Sequence, residues 1–98
     1  MIYLLHFSAR LGGFGRSGAQ HYLGYCQERS LRQRLRQHAE GQGSAITRAF
    51  AAQGIGFVLA TIWHPGTRAQ ERQMKARGHY ADWCPYCRPP EYQEGVTR

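Results

Sequence analysis

Ile2-Tyr3-Leu4-Leu5-His6-Phe7 and His21-Tyr22-Leu23-Gly24-Tyr25-Cys26 are the stretches that decide the fold of this chain. The first alternates around bulky residues, and the second is rich in aromatic and apolar side chains, as short strands are. Between them, Leu11 to Gln20 holds four glycines and little that packs. That interval reads as a long loop joining an antiparallel hairpin.

Working outward, Ser30 opens a helix, and Ser30 with Gln33 fits a capping box. Leu31 and Leu35 lie one turn apart and mark its apolar stripe, and Gly41-Gln42-Gly43 stops it. Ser44 to Gln53 reads as a second helix with Ile46, Ala49 and Phe50 inward. Ile55 to Trp63 is the most apolar run and reads as the central strand, needing helical cover on both faces. Pro65-Gly66 turns the chain, and Thr67 with Gln70 fits another capping box, opening a helix that runs to about Arg77. The order predicts an α/β (α+β) domain over residues 1–78: a small three-stranded antiparallel sheet flanked by helices. Residues 79–98 carry three of the four prolines and a Cys84-Pro85-Tyr86-Cys87 motif, and read as an irregular tail.

At 98 residues the chain is long enough for one small core and no second domain. Its net charge of +7 favours a polyanionic partner, DNA before others. No apolar stretch approaches the ~20 residues of a membrane span, so no membrane partner is expected. The first residues lack the layout of a secretory leader. Three cysteines make a poor disulfide framework, and a cytoplasmic setting is expected.

Chemistry-bearing residues fall at informative places. Helical spacing puts Arg34 and His38 on the side of Leu31 and Leu35, bordering the buried stripe, while Arg32 and Arg36 point to solvent. Arg34 is then either a stem lying along the core with a carboxylate partner or a phosphate-binding group. Tyr3 and Tyr22 sit in neighbouring strands, either as ordinary half-buried strand residues or as two hydroxyls on one side. Of the six acids, Glu71 alone lies inside a helix directly after the third strand. It suits a hard metal ion such as Mg²⁺, which often takes one carboxylate plus waters; the alternative is an i, i+4 surface pair with Lys75.

Taken together, Ile2-Tyr3, Tyr22-Leu23-Gly24, Leu31-x-x-Arg34-Leu35-x-x-His38 and Glu71-x-x-Met74-Lys75 resemble the GIY-YIG nuclease family, over residues 1 to about 77. The resemblance implies a metal-dependent DNA endonuclease using one Mg²⁺ or Mn²⁺ ion. It implies Tyr3 as general base or water-orienting hydroxyl, with Tyr22 beside it positioning the nucleophile. It implies Arg34 on the scissile phosphate, His38 near the tyrosine or the phosphate, and Glu71 on the metal. The chain departs from the pattern in having Met1 where the first glycine stands, a long interval between the tyrosines, Leu23 in the second tripeptide, and no asparagine. A non-catalytic nucleic-acid-binding module of the same fold is the alternative.

Other features fit secondary roles. Gly13-Phe14-Gly15-Arg16-Ser17-Gly18 matches a dinucleotide-binding fingerprint, but a strand follows where that motif requires a helix, and a DNA-touching loop bearing Arg16 is expected instead. Arg16, Arg32, Arg36, Arg48, Arg72 and Lys75 are the expected contacts to the nucleic-acid backbone, which carry no sequence information by themselves. Cys84 and Cys87 have zinc-ligand spacing but form half a site. His79, His64 or Cys26 are the candidates to complete it, whereas His6, His21 and Trp63 read as core or sheet residues. A domain this small holds no evident specificity module, so a homodimer or a protein partner is expected to supply one.

Overall fold

The computed structural model describes residues 1–12 and 18–88. Arg16, most of the glycine motif around it, and the tail beyond Arg88 lie outside the described residues. The chain runs β1 (Ile2–Phe7), β2 (His21–Tyr25), a 3-10 turn at Glu28–Ser30, α1 (Leu31–Ala39), α2 (Ala45–Ala52), β3 (Phe57–Trp63), α3 (Arg68–Arg77) and α4 (Tyr80–Trp83). Among the described residues the strands form one sheet in the order β2-β1-β3, both pairings antiparallel. The expected three-stranded antiparallel sheet with helices is therefore present. No helix among the described residues is long and apolar enough to cross a membrane.

The central strand is β1, not the expected Ile55–Trp63 run. β1 buries Ile2, Tyr3, Leu4, Leu5 and Phe7, while β3 is an edge strand with Val58, Leu59 and Ile62 exposed. An apolar run does not reveal its place in a sheet. β1 holds the centre because both its faces are covered.

Alternation along β1 separates two cores. Tyr3, Leu5 and Phe7 face one side, where Leu31, Leu35, Ile46, Ala49 and Phe50 meet them. Phe7 and Phe50 stack with ring centroids 3.7 Å apart. Ile2, Leu4 and Leu23 face the other side, joined by Met74, Tyr80, Trp83 and Cys84. Each large apolar side chain buried this way contributes about 1.5–3 kcal/mol. Of the expected irregular tail, residues 80–83 thus form a helix packed on the sheet, and Cys84 is fully buried.

The caps differ from expectation in two places. Ser44 opens α2 with a reciprocal box: its side chain accepts from the Thr47 amide, and its own amide donates to Thr47 Oγ1. Thr67 opens α3 by accepting from the Gln70 amide, which is half of the expected box: the return bond from the Gln70 side chain does not form. Ser30, by contrast, caps nothing. It ends the preceding 3-10 turn with helical backbone angles, so its hydroxyl is not aimed at the free amides as an extended cap residue would be.

Candidate active site

The β1–β2 register builds the centre of the site. Tyr3 lies opposite Gly24 and Leu5 opposite Tyr22, so both tyrosines project from the same face on a diagonal. Their ring centroids are 6.3 Å apart. Gly24 is what lets Tyr3 lie flat across β2, since a Cβ there would sit 2.5 Å from Tyr3 Oη and 2.9 Å from Tyr22 Cε2.

His38 comes in from α1, its ring centroid 4.9 Å from that of Tyr22. Tyr3 Oη lies 2.7 Å from His38 Nε2, and His38 Nδ1 lies 3.1 Å from Thr47 Oγ1. Thr47 Oγ1 also lies 3.1 Å from the Ser44 carbonyl. With the Thr47 hydrogen on that carbonyl, Nδ1–H donates to Thr47, and Nε2 accepts from the Tyr3 hydroxyl. Tyr3, His38 and Thr47 are 1%, 3% and 1% exposed, so each bond is shielded from water.

Charge surrounds this chain of bonds. Burial pushes the Tyr3 phenol well above its ordinary value, the neighbouring Tyr22 adds to the rise, and Arg34 opposes it only in part. Burial, with Arg34 second, holds His38 below its ordinary 6.5. Tyr3 is therefore a neutral hydroxyl beside a neutral imidazole. Arg34 lowers the Tyr3 phenol, in the direction a general base requires, but burial outweighs it.

Glu71, in the first turn of α3, is buried, and its charge reaches Tyr3. Its Oε2 lies 3.1 Å from Lys75 Nζ, which also hangs over the Tyr22 ring at 5.7 Å from the centroid. The i, i+4 pair read as the alternative for Glu71 does form, but the carboxylate is buried and not on a solvated face. Among the described residues no cluster of three or more His, Cys, Asp or Glu includes Glu71. A single carboxylate does not make a protein cage. It does fit Mg²⁺ or Mn²⁺ held by one protein ligand, waters and a substrate phosphate.

A cleft of about 860 Å³ opens beside these groups, lined by Tyr22 and Lys75 and also by Arg10, His21, Ser44 and Cys87. Arg32, Arg36, Arg48, Arg72 and Lys75 are all exposed, as the sequence implies. Thr47, Ser44 and Arg10 were not legible as site residues. The Ser44-x-x-Thr47 spacing signals a helix cap, but the second bond of Thr47, to His38, depends on how α2 packs against α1.

Cys84 and Cys87 also come together with other ligand-type side chains, but not with those expected. His64 pairs with Glu28 at 3.1 Å, His79 lies against Trp83, and Cys26 belongs to the opposite core. The neighbours of the two thiols are His6 and His21, a directly opposed pair in the hairpin. Comparisons with family models, curated proteins and solved structures gave no match.

Proposed function

We propose that this chain is a metal-dependent endonuclease that hydrolyses DNA phosphodiester bonds with Tyr3, Tyr22, Arg34, His38 and Glu71. The observation that carries this reading is the buried Tyr3–His38–Thr47 bond chain, with Tyr22 against the same imidazole and Arg34 and Glu71 within electrostatic reach. A core needs no such relay. Buried tyrosine and histidine polar atoms are costly if left unsatisfied, and apolar residues would fill the same space without that demand.

In this reading Tyr3 acts as a relay and not as a preformed phenolate. A proton from the attacking water would pass to Tyr3 Oη, which must first open to the cleft that Tyr22 lines, as the Tyr3 proton passes to His38 Nε2. The water oxygen bonds to phosphorus, and the bond from phosphorus to the leaving sugar oxygen breaks with its electron pair on that oxygen, which takes a proton from solvent. Thr47 holds the imidazole at Nδ1 so that Nε2 stays the acceptor. Arg34 offers a planar fork of donors to the phosphate. Glu71 would hold the divalent ion, which when bound acidifies water and offsets phosphate charge. Lys75, on a flexible stem, would exchange Glu71 for a backbone phosphate. The net charge of +7, the exposed arginines and the cleft support DNA as substrate. A cytoplasmic setting, and a second copy or a protein partner conferring specificity, belong to the same proposal.

Supercoiled plasmid incubated with Mg²⁺ or Mn²⁺ should be nicked, and EDTA should stop the reaction. Binding without nicking under either metal would sink the proposal. It would favour a non-catalytic nucleic-acid module, a reading that the Glu71–Lys75 pair supports and that predicts salt-sensitive binding without metal.

The pH dependence is specific. The groups facing His38 are Tyr3 from β1, Tyr22 from β2 and Arg34 from its own helix. Because its folded pKa is depressed, activity should persist as the pH falls past 6.5 and decline only below it. Stability follows the same sign: below 6.5 the unfolded chain binds a proton that the folded chain resists, so stability drops as pH falls. An acid limb above 6.5 would contradict the assignment.

A further inference from the structure

We infer that His6, His21, Cys84 and Cys87 bind a structural zinc ion that fastens the segment after α3 to the β1–β2 hairpin. The inference is independent of the nuclease reading and uses none of its residues.

Four side chains from three separate parts of the chain converge there, and their ligand atoms all lie within 4.8 Å of one another. His6 Nδ1 is 3.3 Å from His21 Nε2, 3.4 Å from Cys84 Sγ and 3.6 Å from Cys87 Sγ. Cys87 Sγ is 3.3 Å from His21 Nε2. Zinc bond lengths of ~2.0–2.1 Å to nitrogen and ~2.3 Å to sulfur give tetrahedral edges of roughly 3.3–3.8 Å. These four separations fall on or close to those edges, and the remaining pairs lie within 4.8 Å.

Hydrogen bonding holds the cluster only through weak sulfur donors and acceptors. A ring nitrogen carries one hydrogen or one lone pair, so His6 Nδ1 can satisfy one of its three neighbours. If each thiol donates to a histidine, the two ring nitrogens face each other as lone pairs at 3.3 Å. If one ring nitrogen carries the hydrogen instead, the displaced thiol turns to the other cysteine's sulfur, which is only a weak acceptor. A cation at the centre, with both thiols ionised, resolves every contact at once.

The backbone holds the donors independently of any metal. His6 and His21 are opposed residues of the hairpin, so both project to the same face. The cysteine pair closes a tight turn in which the Cys87 and Arg88 amides donate to the Cys84 carbonyl at 3.1 and 2.9 Å. Cys84 is fully buried against Ile2, Leu4 and Leu23, and Tyr86 stacks on His6. Two nitrogens and two sulfurs suit zinc over magnesium or calcium. Four protein ligands leave no open position, which marks a structural site and not a catalytic one. Because His21 and Cys87 also line the cleft beside Tyr22 and Lys75, the ion would hold one wall of that cleft in place.

The test uses the intact chain. Elemental analysis of purified protein should find a single zinc per chain. Replacement by Co²⁺ should give the intense visible bands of a tetrahedral site and a thiolate-to-metal charge-transfer band. In Cys87→Ser, an exposed position, that charge-transfer band should fall by about half, as expected when one of two thiolate ligands is lost. His64→Ala and His79→Ala should leave the spectrum unchanged. A folded wild-type chain that takes up neither zinc nor cobalt, or that holds Cys84 and Cys87 as a disulfide under reducing buffer, would overturn the inference. So would a cobalt spectrum indifferent to Cys87→Ser.

Discussion

Tyr3→Phe is expected to fold and to nick DNA about 10²–10⁴-fold more slowly, the usual loss when a positioned proton-transfer group is removed. The substitution keeps the ring that fills the core beside Leu5 and Phe7 and deletes only the oxygen bonded to His38. It leaves His38 Nε2 buried without its donor, which costs about 1–3 kcal/mol of stability. The two effects separate cleanly: thermal unfolding reads the second, and single-turnover cleavage well below the melting temperature reads the first. His38→Ala should slow cleavage similarly, and the double variant should be little worse than either single one, because the two residues pass one proton. Additive losses would mean that they act independently. Glu71→Ala belongs to the same series but should fail differently, with excess Mn²⁺ recovering part of the rate. Wild-type nicking by Tyr3→Phe would remove the relay altogether.

Much of this arrangement was readable from residue order, and the failures have physical causes. Two strands bearing tyrosines, a helix with Arg34 and His38 on its apolar border, and Glu71 in a later helix are local patterns, and local periodicity carries them. That Tyr3 and Tyr22 share a face depends on the hairpin register, which the long interval between the strands leaves open. The same register hides the His6, His21, Cys84 and Cys87 cluster. His6 and His21 are 15 residues apart in the chain and directly opposed in the sheet. Neither sits in a ligand-spaced motif, so Cys84-Pro85-Tyr86-Cys87 looked like half a site. Placing β3 at the centre failed for a related reason. Apolar content signals burial somewhere, and here the exposed Val58, Leu59 and Ile62 show that the edge strand does not use all of its own. Ser30 failed as a cap because a short 3-10 turn precedes α1, a feature with no sequence signature of its own.

Gly24→Ala is the second large expected effect, and it tests the register directly. Gly24 looks replaceable in a strand, where glycine ordinarily costs stability and alanine should gain it. The geometry reverses the sign. The added Cβ would lie 2.5 Å from Tyr3 Oη and 2.9 Å from Tyr22 Cε2, and Tyr3 is fully buried there. The ring must swing away from β2, stretching or breaking the bond to His38. Overpacking of this kind costs about 1–3 kcal/mol. The cleavage rate should fall toward that of Tyr3→Phe, although no chemical group has been deleted. Gly56→Ala is the matched control, since a Cβ there meets nothing within 4 Å and the backbone angle is not left-handed. It should stay within ~0.5 kcal/mol of wild type with full activity. If Gly24→Ala behaves like Gly56→Ala, Tyr3 does not lie across Gly24, and the diagonal pairing of the two tyrosines on which the site depends is wrong. If Gly24→Ala loses cleavage while its melting temperature barely moves, Tyr3 has swung to another position at little cost. The position of its hydroxyl, and not the packing of its ring, is then what cleavage requires.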